Sequence, residues 1–97
     1  MAQFNETIHQ PVRLQIMAAL VTLKKEDEVD FSYLRDLLEV TDGNLGAHLR
    51  KLEESSYITI KKEFIDRKPR SFISATQKGR KVFQDHVEAL ESIIKNK

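Results

Sequence analysis

The side chains with chemical reach in this chain are cations, amides and small residues rather than catalytic pairs. Arg67, Lys68 and Arg70 stand around Pro69, and Lys61 and Lys62 come shortly before them. Upstream, Thr41, Asn44, Ala47, His48, Arg50 and Lys51 fall in one short stretch. Lys and Arg neutralise phosphates. Asn can bond adenine bidentately, Ala can touch a thymine methyl, and Arg or Lys can reach guanine. No nucleophile stands with a base and an orienting partner, no glycine-rich loop follows a strand, and no carboxylate pair is set apart. With no cysteine there is no thiolate metal site, thiol nucleophile or disulfide framework. The chain is therefore expected to bind rather than to catalyse.

The charge distribution points the same way. The net charge of +1 over 97 residues predicts no partner by itself. Residues 1–40 carry four Lys/Arg against seven Asp/Glu, residues 41–81 carry ten against five, and residues 82–97 carry two against three. A basic middle segment is what a phosphate-facing surface requires. A solvated basic face would carry the same charges, and charged hairpins also keep strand edges from pairing.

The elements that must position these residues follow from periodicity. Pro11 suits the first turn of a helix, in which Val12, Ile16, Leu20 and Leu23 share a face. The stretch Lys25-Glu26-Asp27-Glu28 ends it, and Val29-Asp30-Phe31 makes a minimal strand. Ser32 can cap a second helix whose Leu34, Leu37 and Leu38 share a face. After the break Glu39-Val40-Thr41, Thr41 can cap a third helix from Asp42 to about Glu54. On a wheel of about 100° per residue with Leu45 at zero, Leu49 lies near 40° and Leu52 near 340°. Gly43, Asn44, Ala47, Arg50, Lys51 and Glu54 face away, with His48 on the flank. The period then changes to alternation: Tyr57–Phe64 and Arg70–Ala75 read as a hairpin with a charged tip over 65–69. Thr76 can cap a long last helix with a stripe of Val82, Phe83, Val87, Leu90 and Ile94. The fold class is mostly α with a β-hairpin, in the order of a winged helix-turn-helix with a long C-terminal helix.

An ordered set of short runs carries a family resemblance: Phe31-Ser32-Tyr33-Leu34-Arg35, Thr41-Asp42-Gly43-Asn44-Leu45, His48-Leu49-Arg50-Lys51-Leu52-Glu53, Tyr57-Ile58, Asp66-Arg67-Lys68-Pro69-Arg70 and Ala75-Thr76-Gln77-Lys78-Gly79-Arg80. Over roughly residues 9–90 the chain resembles the small winged-helix transcriptional regulators of the MarR and ArsR types. The resemblance implies a homodimer on double-stranded DNA, with the helix from Asp42 in the major groove and the Arg67–Arg70 tip on backbone or minor groove. The length, with no internal repeat or linker, predicts one domain over 1–97, and the resemblance implies that about 76–97 is its dimerisation helix. Gly46 departs from relatives that carry a DNA-contacting serine there. Asp85, His86 and Glu88 resemble the interfacial metal site of some ArsR-type sensors, but that pattern needs a histidine where this chain has Leu90. No metal or other cofactor is expected.

The function these observations favour is a sequence-specific, double-stranded-DNA-binding regulator of transcription. Thr41, Asn44, Ala47, His48, Arg50 and Lys51 would act from the helix, and Arg67, Lys68 and Arg70 from the wing. The alternative is a winged helix serving as a protein–protein adaptor without DNA binding; such modules lose the basic face. A further rival is a dimeric sensor whose effector pocket lies between subunits. The longest apolar run, Ile16–Val21, is far short of a membrane span, and the first residues lack the basic start and apolar stretch of a signal peptide. A cytoplasmic protein is expected.

Overall fold

The computed structural model describes residues 4–24 and 27–95. Lys25 and Glu26 of the expected acidic loop, and residues 96–97 of the expected last helix, lie outside the described residues. The order is α1 (Pro11–Val21), β1 (Val29–Asp30), α2 (Phe31–Leu38), α3 (Asp42–Glu54), β2 (Ile58–Ile65), β3 (Lys68–Ala75) and α4 (Gln77–Lys95). The sheet is antiparallel in the order β1-β3-β2. This is the winged helix fold expected from the periodicities. No helix of the described residues is long and apolar enough to cross a membrane.

The core lies where α1, α2 and α3 meet one face of the sheet. Ile16, Met17 and Leu20 of α1, Leu34 of α2, Leu45, Leu49 and Leu52 of α3, and Ile58 and Ile73 of the hairpin are buried in it. Two helix starts are capped as the sequence suggests. Thr41 Oγ1 accepts from the Asn44 N–H at 3.1 Å, and Thr76 Oγ1 accepts from the Gly79 N–H at 2.9 Å. The start of α2 differs: Asp30, not Ser32, is the cap, its Oδ1 accepting from the Ser32 N–H at 2.6 Å. Leu37 also differs, being 52% exposed while Leu34 takes the core position.

Both ends of the α2–α3 unit close alike. Val40 N–H donates to Arg35 C=O at 3.2 Å with Glu39 at φ 55°. Tyr57 N–H donates to Leu52 C=O at 3.0 Å with Ser56 at φ 64°. These left-handed residues reverse the chain in a single step, as in Schellman-type caps. The second reversal delivers Tyr57 to the start of α4. Its carbonyl accepts from Thr76 N–H at 3.0 Å, while Thr76 Oγ1 donates to Ser56 C=O at 2.7 Å. Gly79 lies so close beneath that a Cβ there would overlap the Tyr57 carbonyl oxygen.

Residues 4–10 fold over the base of α4 through a histidine pair. His86 is fully buried. Its Nδ1 accepts from the Asn5 N–H at 2.9 Å, and its Nε2 lies 3.3 Å from His9 Nδ1. Asn5 also donates from its side chain to the Tyr57 hydroxyl at 3.0 Å. Because Nδ1 of neutral His86 is an acceptor, Nε2 carries its proton and His9 Nδ1 must accept it. A proton added to His86 Nδ1 displaces the Asn5 N–H, and one added to His9 Nδ1 meets the Nε2–H of His86, so either breaks this arrangement. Burial first, and then the neighbouring His9, hold His86 below its ordinary pKa.

A histidine in the unfolded chain titrates near 6.5. Between that pH and the lower folded value the unfolded state binds the extra proton, so stability is complete above about 6.5 and lost as pH falls. Half-buried His48, lowered by burial and by Arg13, contributes with the same sign. Urea unfolding from pH 8 to 5 should give a level stability followed by a decline that His86→Gln makes shallower. A wild-type stability unchanged down to pH 5 would contradict this.

Candidate nucleic-acid interface

The outward face of α3 holds the residues singled out for base contact. Asn44, Ala47, Arg50 and Lys51 are all exposed, while Leu45, Leu49 and Leu52 anchor the opposite side. Thr41 is exposed at the cap; its oxygen is engaged with Asn44 N–H, but its hydroxyl proton is free to donate outward. His48 is half-buried, and Arg13 Nη1 lies 3.2 Å from its Nδ1. A guanidinium only donates, so His48 keeps its proton on Nε2 and offers that single donor. Arg13 is held in turn by the Thr7 carbonyl. The sequence pattern did not reveal Arg13, because its partners are thirty-five residues away in His48 and on a loop in Thr7.

A guanidinium of α2 bridges to the start of α3. Arg35 donates from Nε to Asp36 at 3.0 Å and from Nη1 to Asp42 at 2.9 Å. These two hydrogen bonds, that to Asp36 first, hold its proton more tightly than in free arginine. Asp42 is also the acidic residue in the first turn of α3, where a carboxylate suits the positive end of the helix.

The hairpin is longer and tighter than the alternation suggested. Its strands pair from Ile58·Ala75 to Ile65·Lys68, leaving only Asp66 and Arg67 as the turn. Both have positive φ, 52° and 67°, the geometry of a type I′ turn matched to the strand twist. The pleat then divides the basic residues. Ile58, Ile60, Lys62 and Phe64, with Ala75, Ile73, Ser71 and Pro69 opposite them, form the face toward the core. Lys61, Glu63 and Ile65, with Phe72, Arg70 and Lys68 opposite, form the other face.

The two faces are electrostatically different. Lys61 Nζ lies 3.0 Å from Glu28 and 3.3 Å from Glu63, and Arg70 Nε lies 3.5 Å from Asp30. The hydrogen bond to Glu28, then that to Glu63, raises the Lys61 pKa. Arg70 is thus tied to the cap of α2, apart from Arg67 and Lys68. Lys62 has no ion-pair partner among the described residues. It lines a cleft of about 370 Å³ between α3 and the hairpin, with Gly46, Leu49, Arg50 and Glu53 on one wall and Ile60 and Ser71 on the other. Lys62 was legible as a basic residue, but its alignment with Arg50 follows only from the register.

The residues proposed from sequence for pairing two subunits divide along α4. Val82 and Phe83 pack against the core of their own chain, Val87 and Leu90 are half-buried, and Ile94 is 68% exposed. Ile93, not included in that stripe, is also exposed at 59%. The Asp85, His86 and Glu88 set does not converge. Asp85 pairs with Lys81 at 2.8 Å and His86 turns into the core. Among the described residues, no three His, Asp or Glu side chains could hold a metal ion together.

Four similarities to known proteins bear on this geometry. Residues 12–94 match the family model of the winged helix DNA-binding domain. An uncharacterized protein of Methanocaldococcus jannaschii is 38% identical over 85 residues, covering 88% of this chain and 89% of that protein. A transcriptional regulator homologue from Pyrococcus horikoshii OT3 superposes with a TM-score of 0.85 at 29% identity, covering 95% of this chain and 88% of that one. HlyU from Vibrio cholerae shares the fold at a TM-score of 0.65 and 20% identity, covering 81% and 78% of the two chains.

The turn gives a direct test of strain at this surface. A non-glycine residue in the left-handed region costs roughly 1 kcal/mol, and type I′ turns favour glycine at the second position. Arg67→Gly should therefore raise the unfolding free energy by about 0.5–1 kcal/mol despite the added freedom of the unfolded chain. Chemical denaturation checks it, and a lowered stability would contradict the turn assignment.

Proposed function

We propose that this chain, which belongs to the winged helix DNA-binding domain family, acts as a homodimeric, sequence-specific regulator of transcription on double-stranded DNA. One observation carries the reading. The exposed face of α3 and the core-side face of the hairpin meet at a single cleft, with Arg50 and Lys62 on opposite walls. Of the cations on the far face, Lys61 and Arg70 are instead matched by Glu28, Glu63 and Asp30, while Lys68 stands beside the turn at the tip. Positive charge left unmatched on one side is what a phosphate backbone requires.

In this reading α3 enters the major groove. Asn44, Ala47 and Lys51 read base edges, and Thr41, His48 Nε2 and Arg50 approach the backbone. Arg67 and Lys68 at the hairpin tip reach backbone or minor groove, and Arg70 contributes chiefly by holding the hairpin to Asp30. The protein is a binding protein of the cytoplasm, not an enzyme. Its runs from Phe31 to Arg80 resemble those of the MarR and ArsR types. The name of the Pyrococcus horikoshii homologue supports a role in transcriptional regulation.

The pairing of subunits rests on α4, with residues 1–97 acting as one domain. Its 19 residues extend about 28 Å at about 1.5 Å each. Its first turns serve the core of the same chain. Val87, Leu90, Ile93 and Ile94 remain for a partner, and burying a Leu or Ile gains about 1.5–3 kcal/mol. A two-fold axis there would present two copies of α3 to major grooves about 10–10.5 base pairs apart, or a multiple of it.

Two experiments test these parts separately. Affinity for duplex DNA should fall steeply with salt; Lys62→Ala with Arg67→Ala should flatten the slope, while Asn44→Ala should relax preference at one base by about 1–3 kcal/mol. Absence of binding at low salt would favour a protein–protein adaptor. Light scattering should find a dimer that Leu90→Glu with Ile94→Glu dissociates; a wild-type monomer at micromolar concentration, or a variant still dimeric, would overturn the pairing.

A further inference from the structure

The hairpin ends in a feature that phosphate binding does not explain. Phe64 is 79% exposed, more than any other large apolar residue described. It stands directly opposite Pro69, and Ile65, 38% exposed, follows it on the other face. Isolated apolar residues on a surface are ordinary. Here, however, an aromatic ring and a pyrrolidine ring are paired at the end of a projecting hairpin whose other exposed residues, Ile65 apart, are charged or small.

The register settles where that pair looks. Phe64 and Pro69 share the pleat face of Lys62 and Ser71, which line the cleft beneath α3. Two residues of strand carry Phe64 about 7 Å beyond Lys62. The apolar pair is thus the outward continuation of the surface that faces the outer side of α3. Because Ile65·Lys68 closes the two-residue turn, the alternation of antiparallel pairs makes Phe64·Pro69 a pair without mutual hydrogen bonds. Pro69 therefore loses no ladder bond, and its fixed φ stiffens the strand behind Phe64.

We propose that Phe64, opposite Pro69, is a minor-groove wedge that inserts between base pairs at a pyrimidine–purine step flanking the site read by α3. Such steps unstack most readily, and apolar side chains wedged from the minor groove kink the duplex toward the major groove. The surroundings fit that occupant. Arg67 stands in the turn itself, Lys68 adjoins Pro69 on the opposite face, and Lys62 and Arg50 lie inward on the side of the apolar pair, so an approaching polyanion meets cations beside that pair. A protein partner for this tip would have to cover those cations as well. The assignment rests on the DNA-binding reading above and adds to it a specificity contact and a bend.

The test uses the full chain and a duplex recovered with it by selection from a random-sequence pool. Phe64→Ala should keep the wild-type circular dichroism and salt slope, lose about tenfold in affinity, and reduce the bend seen by energy transfer between end labels. Phe64→Leu should restore most of both, and Phe64→Gln neither. Replacing the flanking pyrimidine–purine step should weaken the wild type and leave Phe64→Ala almost unchanged. A wild type that binds with affinity and bend unaltered by Phe64→Ala would overturn the wedge and leave the DNA-binding reading intact. A wild type that binds no duplex would remove both. A change in oligomeric state on Phe64→Ala, without a change in bend, would assign the tip to a protein contact and overturn the wedge.

Discussion

The architecture turns on the absence of one side chain. Gly79 occupies the first turn of α4 against the backbone of Tyr57, where a Cβ would overlap the carbonyl oxygen. That closeness lets Tyr57 C=O accept from Thr76 N–H, and Thr76 Oγ1 serve both Ser56 C=O and Gly79 N–H. The end of α3, the start of β2 and the start of α4 are thereby held within one knot of backbone bonds. Three functional directions leave from it: α3 with its polar face, the hairpin with its cleft-side cations, and α4 with its distal apolar stripe.

Around that knot, charge is distributed by the pleat rather than by proximity in sequence. Five basic residues between Lys61 and Arg70 look like one cluster when read along the chain. Alternation sends Lys61 and Arg70 to acids on and beside β1, which fasten the hairpin to the helical half, and leaves Lys62 with Phe64 on the side of α3. The exposed ion pairs contribute little stability individually; on the cleft side Lys62 has no such partner among the described residues, and Glu53 is the acid that lines the cleft. Arg67 then accepts left-handed backbone where glycine would relax. Strain kept at a charged, exposed position fits a residue retained for contact rather than for folding.

Much of this was legible in the amino-acid order because it is governed by period and by local caps. The stripe of Leu45, Leu49 and Leu52 fixes which side of α3 is free, and Thr41 and Thr76 are capping residues placed just before helical periods. What escaped depends on long-range geometry. The cap of α2 is a local exception: Asp30 accepts from Ser32 N–H two residues on, and only the position at which α2 begins selects it over Ser32. Asn5, His9 and His86 come together only when residues 4–10 cross the base of α4. The charged tip, expected over 65–69, contracts to a two-residue turn, and that contraction sets the parity that aligns Phe64 with Lys62. Composition carries no trace of the contact at Gly79.

In the function proposed, α3 and the cleft side of the hairpin engage one duplex together. The most direct measurement is a titration of the isotopically labelled chain with a short DNA duplex, followed by amide chemical shifts. Perturbations should concentrate in Thr41–Lys51 and in Lys62–Pro69, and leave the far-face ion pairs of Lys61 and Arg70 less affected. Perturbations confined to α1 and α4, with α3 and the hairpin silent, would contradict the account.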